Sequence, residues 1–236
     1  MQSRGLQLTL QKTEIVLLTG RRISTVVPMS LGDEQVETKR SARYLGVTLD
    51  NKLFFWDHIS RVSNRTMERV ASLSRLMANV NGPSPCKRRL LMSTTHSIML
   101  YGAEVWAEAL QKRKYKKVLA RVQRRGALRI ASAYNTVSEQ AVLVIAGVIP
   151  IDLLANERRR IYNRGPGISR DEAAEAERGT TIARWVDRWK AAGDVAIWTR
   201  RLLRNPEAWI ERRWGCLLYT SPSPRDRTRS RMPSSA

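Results

Sequence analysis

Lys112, Arg113, Lys114, Lys116, Lys117, Arg121, Arg124, Arg125 and Arg129 fall between Gln111 and Ser138 with no Asp or Glu among them. The chemistry open to such a stretch is the attraction of phosphate. A cationic stripe releases condensed counterions when it meets a nucleic-acid backbone, so its affinity falls steeply with salt and carries little sequence preference. Tyr115, Val118, Leu119, Val122 and Ile130 recur at spacings of three and four in the same stretch. That periodicity predicts an amphipathic helix with a core on one side and charge on the others. Lys112, Lys116, Lys117, Arg121, Arg124, Arg125 and Arg129 are the candidate nucleic-acid contacts, with no acidic residue inside the block to neutralise them.

Other chemistries find less support. Two-metal phosphoryl transfer needs clustered carboxylates around ions a few ångströms apart, and no Asp-Asp pair occurs in the chain. Asp33 reads as a hairpin-turn residue, Asp50 as a strand end and Asp57 as a helix start, each a turn or capping role. Zinc needs grouped cysteines and histidines, whereas His58, His96, Cys86 and Cys216 are scattered. Gly165-Pro166-Gly167 lacks the Lys and Ser or Thr of a phosphate loop. No tandem repeat suggests a solenoid. No catalytic residue, metal ligand or small-molecule site is therefore expected.

The chain has 236 residues, 42% of them hydrophobic, enough to bury a sizeable core in one or two domains. Its net charge is +21. No apolar run approaches the ~20 residues that cross a bilayer, and the amino terminus has no signal-peptide pattern. Two cysteines about 130 positions apart do not make a disulfide framework. An intracellular, reducing location fits, in nucleus and cytoplasm, with no membrane partner.

These residues need elements to position them. Glu14 to Thr19 should be one strand; Thr25 to Leu31 and Glu34 to Thr38 should pair through Gly32-Asp33; Arg43 to Leu49 should be the last strand, with Gly46 allowing close backbone approach. Ile59, Val62, Val70, Leu73, Met77 and Val80 form an apolar stripe on a helix starting near Asp57 and closed by Asn81-Gly82-Pro83. Ser84-Pro85 opens a second, long helix with Leu90, Leu91, Ile98, Tyr101 and Val105 as its core positions. Trp106 could stack on a base, but an aromatic on an apolar helix face is more simply packing. Ser138-Glu139 starts a short helix ending at Gly147, Pro150 opens another through Leu153, Leu154, Ile161 and Tyr162, and Ser169-Arg170-Asp171-Glu172 reads as a capping box. Trp185, Trp189, Trp198, Trp209 and Trp214 make a tryptophan-rich end.

Several segments, in order, resemble one family. Gly5 to Glu14 followed by Ile15-Val16-Leu17-Leu18-Thr19 resembles the end of the palm in retrotransposon reverse transcriptases. Tyr44-Leu45-Gly46-Val47-Thr48-Leu49-Asp50 resembles the primer-contacting strand after it. Ile98-Met99-Leu100-Tyr101-Gly102-Ala103-Glu104-Val105-Trp106 resembles the thumb-helix signature of jockey-like elements without terminal repeats. Ala133 to Ser138 with Ala146-Gly147-Val148-Ile149-Pro150 is similar to the segment just beyond the thumb. The matches cover roughly residues 5 to 215 and resemble elements of arthropod type.

The resemblance implies an α+β, mostly α fold: a small antiparallel β remnant of a polymerase palm, then a thumb-like helical bundle and further helices. It implies an end of palm at 1–50, a thumb-like domain at 51–135, a tryptophan-rich helical region at 136–215, and a tail at 216–236. Tyr44, Leu45 and Gly46 are then the residues supporting the primer, and the partners are an RNA template and a DNA primer or target DNA. The family is an RNA-directed DNA polymerase using Mg2+, but its catalytic aspartates have no counterpart here. The expectation is a fragment, inactive alone and holding no cofactor, that grips the primer-template; unpaired sheet edges predict poor solubility. A stand-alone basic helical nucleic-acid-binding protein and a degenerate, untranslated copy are the competing readings. From about Gly215-Cys216 the chain departs from the family pattern, and the Ser, Pro and Arg richness of 221–236 suits a disordered, non-native tail.

Overall fold

The computed structural model describes residues 13–211 except 22, 32, 33, 79–81, 166, 168 and 194. Residues 5 to 12, the Gly32-Asp33 turn, Val80, Asn81, Pro166, Trp214 and the tail 216–236 singled out above lie outside the described residues.

Two antiparallel hairpins come first. β1 (Pro28–Leu31) pairs with β2 (Glu34–Glu37), and β3 (Ser41–Tyr44) pairs with β4 (Val47–Asp50). The first pair is shorter than the sequence predicts. Beyond Pro28 one backbone bond remains, Thr38 N–H to Val27 O, and Thr38 Oγ1 accepts from Val27 N–H and donates to Thr25 O where the regular ladder would continue. Glu14 to Thr19 is not a strand: it makes a single bridge, Val16 with Lys39, and crosses the hairpins through Lys39 N–H to Ile15 O and Thr19 N–H to Asn51 O. Arg43 to Leu49 is not one strand either. Leu45 (φ 46) and Gly46 (φ 87) form a two-residue turn with both central φ angles positive, and the chain folds back so that Tyr44 faces Val47.

Helices follow: α1 (Trp56–Arg75), α2 (Pro85–Met99), α3 (Ala103–Trp106), a 3-10 turn (Ala107–Gln111) and α4 (Arg113–Ile130). α1, α2 and α4 pack mutually, and β4 lies against α1. The expected stripe on α1 is buried at Ile59 and Val70, and Met77 is buried just beyond the helix. α1 ends at Leu76, where the cap N–H returns to Leu73 and Ser74 carbonyls, several residues before Asn81-Gly82-Pro83. Arg88 explains how the connection is held. Its buried guanidinium donates to Pro83 O, Ala78 O and Arg129 O, tying the α1–α2 loop to the last turn of α4.

The second helix is shorter than predicted and buries a different face. Leu90, Tyr101 and Val105 are exposed, while Met92, Met99, Leu100, Ala103 and Trp106 are core. Gly102 stands at the break between α2 and α3 with φ 63, and glycine is required there because a Cβ would meet Val47 Cγ2 at 2.6 Å. Within α2 the buried positions are Arg88, Met92, Thr95 and Met99, so Leu90 lies off the core face well before the break is reached.

α5 (Glu139–Ala146) begins at Ser138, whose Oγ accepts from Ala141 N–H, and ends at left-handed Gly147, as expected. α6 (Ile151–Asn163) starts after Pro150. α7 (Arg170–Lys190) starts after Ser169, although the Ser169 side chain makes no capping bond, so the predicted capping box is absent as a hydrogen-bond device. α8 (Ile197–Leu202) and α9 (Pro206–Glu211) complete the described chain. Trp185 and Trp189 are buried, Trp209 is half-buried and Trp198 is exposed. One hydrophobic cluster runs from Val47 to Trp189. The fold is α+β and mostly α, with two small antiparallel hairpins. No single helix among the described residues is long and apolar enough to cross a membrane.

Candidate nucleic-acid interface

The hairpin turn and the α2–α3 break meet face to face. Tyr101 Oη donates to Leu45 O at 2.9 Å, and a Cβ on Gly46 would lie 2.8 Å from Tyr101 Cε1. Thr48 N–H donates to His58 Nδ1 at 3.2 Å, and the His58 and Trp106 rings lie 5.7 Å apart. Trp106 Nε1–H donates to Tyr101 O. At 1% exposure, Trp106 is packing and not a base-stacking platform. Tyr44–Asp50 and Ile98–Trp106, distant in sequence, are thus one built corner.

A groove of about 630 Å3 opens at this corner, between the Leu45-Gly46 turn, α1 and the end of α2. Val62, Ile98 and Tyr101 give it apolar walls, and Arg43, Arg61 and Arg65 also line it. Tyr44 and Leu45 project from the turn at 65% and 75% exposure. Burial, and then the charge of Arg61, pushes His58 down to about 4, so its ring is neutral at physiological pH. With Nδ1 accepting, the ring proton sits on Nε2, which has no hydrogen-bond partner among the described residues.

The basic helix α4 divides into bound and free charges. The sequence suggests no neutralising partner for the block, but Lys116 Nζ lies 2.9 Å from Asp152 Oδ2 on α6, where Arg188 of α7 also binds bidentately. Burial raises the Asp152 carboxyl, but the hydrogen bonds and charge of Arg188 and then of Lys116 outweigh it and hold it below its ordinary value. Arg124 donates to Asn135 O and Val137 O, fastening the loop that leads to α5. The half-buried Arg129 gives its carbonyl to Arg88. Lys112 precedes the helix and sits over the Phe54 ring. Lys117, Arg121 and Arg125 are exposed at spacings of four and form no ion pair among the described residues. These three share one face of α4. Arg125 also reaches Met67 Sδ on α1.

Two features escaped the sequence reading. Arg61 and Arg65 stand one turn apart on α1, an i, i+4 pair that was visible. Gln123 lies buried on the apolar face of α4, four residues after Leu119; its Nε2 donates to Ile149 O and its Oε1 accepts from Ile151 N–H, clamping the Gly147–Pro150 segment. Asp50 accepts from Lys52, Phe54 and Phe55 N–H, the turn role expected of it. No three His, Cys, Asp or Glu side chains among the described residues group to hold a metal ion. The described residues therefore do not fit the divalent-metal centre of the family that the sequence resembles.

Homologues of the chain are non-LTR retrotransposon Pol and RNA-directed DNA polymerase proteins of arthropods. It is 30% identical over 209 residues, 86% of its length, to the 115 kDa protein in type-1 retrotransposable element R1DM of Drosophila melanogaster, and spans 19% of that protein. It is 24% identical over 224 residues, 90% of its length, to the retrovirus-related Pol polyprotein from type-1 retrotransposable element R1 of Nasonia vitripennis, spanning 65% of it. It is 33% identical over 82 residues, 34% of its length, to the RNA-directed DNA polymerase from mobile element jockey of Drosophila melanogaster, spanning 9% of it. The chain thus spans less than two thirds of these relatives. No family model and no solved structure matches it.

Proposed function

We propose that this chain is the part of a retrotransposon RNA-directed DNA polymerase that grips the primer-template, through the turn Tyr44-Leu45-Gly46, the arginine-rimmed groove and the free stripe on α4. The observation that carries the reading is the division of charge on α4. Lys116 and Arg124 are consumed by the fold, whereas Lys117, Arg121 and Arg125 stay exposed on one face, without an ion pair among the described residues. A phosphate backbone is the partner that such a face suits, RNA template and DNA primer or target DNA by homology. Residues 1–50 then act as the end of a palm, 51–135 as a thumb and 136–215 as a brace behind it, in an intracellular setting of nucleus and cytoplasm.

The test is the triple change Lys117→Ser, Arg121→Ser and Arg125→Ser, with primer-template affinity measured across a salt series. Removing one phosphate-binding cation should flatten the log–log slope by about 0.9 on duplex DNA. An unchanged slope rejects the stripe as the grip. Changing Lys116 and Arg124 instead should act mainly through stability. We also propose that the chain adds no nucleotides by itself, since no carboxylate cluster among the described residues can hold paired metals. Mg2+-dependent extension of a primed template by the purified chain would overturn that.

A further inference from the structure

Away from the arginine-rimmed groove, the segment leading into α1 builds a second cleft. Phe54 is half exposed and sits between Leu53 at φ 53 and Phe55 at φ 60, two bulky residues in the left-handed region that normally favours glycine. Such a conformation persists only where its surroundings impose it. Here Asp50 imposes it, by accepting the N–H groups of Lys52, Phe54 and Phe55. The Phe54 ring is therefore presented on a fixed backbone. Lys112 Nζ lies 3.8 Å from its centroid, and Lys114 Nζ lies 4.1 Å from that of Trp56, which itself packs on Tyr115 at 4.9 Å. Phe54, Trp56, Lys114 and Tyr115 line a cleft of about 440 Å3, and Arg40 and Asp57 line it too. That volume is within the range of small-ligand pockets, about 300–1,000 Å3.

We infer that this cleft is a binding site for unpaired nucleobases, in which a single-stranded segment of RNA or DNA stacks on Phe54 while Lys112, Lys114 and Arg40 take its phosphates. The inference rests on the reading above that the chain binds nucleic acid, and adds a single-strand site distinct from the duplex grip. Base stacking on an exposed aromatic outweighs the hold of an ammonium on the same ring in water. An incoming base therefore displaces Lys112 from the Phe54 face, and the freed ammonium is left beside the phosphate of that same nucleotide. Asp57, on the first turn of α1, brings a carboxylate to the cleft that can accept from an exocyclic amine. Stacking is tolerant of sequence because every base has a π face.

The experiment measures binding of the full chain to labelled oligo(dT), oligo(U) and a blunt DNA duplex, for the unaltered protein, Phe54→Ala, Phe54→Trp and the triple serine variant of α4. Phe54→Ala should weaken both single strands at least about fivefold and leave the duplex within about twofold, while Phe54→Trp retains single-strand binding. The oligo(dT) and oligo(U) arms show whether DNA, RNA or both are taken. Unchanged single-strand affinity in Phe54→Ala overturns the inference, as does an equal loss on duplex. Failure of Phe54→Trp alongside Phe54→Ala would make Phe54 a packing residue. Phe54-dependent binding of poly(Glu) in place of the oligonucleotides would make the cleft a peptide site and overturn it too. If duplex binding falls in the triple serine variant while Phe54→Ala is silent, this inference alone fails; if the unaltered chain binds no nucleic acid, both readings fail.

Discussion

His58 is fully buried and His96 half-buried, and both act as hydrogen-bond acceptors, not as chemical groups. Burial holds each near about 4, with Arg61 adding to the effect on His58 and Arg89 on His96. Both also have a nitrogen facing a donor: Thr48 N–H at His58, and the Gln123 amide at His96. Protonation would set donor against donor. Because the folded pKa lies below the ordinary value of about 6.5, the unfolded chain binds more protons between the two, and stability is fully present above about 6.5 and lost as pH falls towards 4. In that window the loss should approach about 1.4 kcal/mol per pH unit for each histidine. Urea midpoints measured from pH 7 to 4 check this, and a flat profile would contradict it. At the same scale, Lys116 shows why a count of charges misleads: nine basic residues look alike in the chain, and only their partners separate Lys116 from Lys117.

Among the elements, the contact between the β3–β4 turn and the α2–α3 break is the one that organises the rest. The run from Arg43 to Leu49 reads as one strand because a two-residue turn preserves the period of two, and Leu45 in a left-handed position hides the usual Asn-Gly signal. Only Gly46 hints at it, and its absent Cβ reads as close approach, which is also true. Gly102 does the same work from the other side. Gly102→Ala places a methyl into Val47 and an alanine in the left-handed region, and should cost about 2–4 kcal/mol. Denaturant unfolding measures it, and Val47→Ala in the same background should recover part of the loss by making room. Additive losses from the two changes would show that the close approach is not what Gly102 serves.

Across the whole molecule, α1 to α4 and the later helices share a core and do not merely abut. Beyond the buried cluster, α6 is joined to the earlier chain by Arg158 donating to Leu100 O and by Arg159 pairing with Glu108, and α4 is joined to it through Lys116–Asp152 and Gln123. Residues 51–190 should therefore unfold in one transition. Far-ultraviolet circular dichroism and tryptophan fluorescence, followed together on heating, should give coincident curves; two separated steps would show that the later helices are an independent unit. The same arrangement keeps the free positive charge on the outer face of α4, where a long polyanion can reach it.

The helical period, the Gly, Pro and Ser boundaries, the net charge and the order of family-like segments are all legible in the chain, because each is set by neighbours within a few residues. Thus α4 falls where its spacing places it, α5 falls between Ser138 and Gly147 as its caps require, and Trp106 is packing, as an aromatic in an apolar segment implies. The turn at Leu45-Gly46, the exposure of Tyr101 and Val105, and the sorting of the basic residues into paired and free depend on residues tens of positions away. Val47 meets Gly102, Asp152 meets Lys116 and Lys112 meets Phe54 only once the helices are packed. Local periodicity records which face of an element is apolar, whereas the partner of a charge or the space left for a Cβ belongs to the assembled molecule.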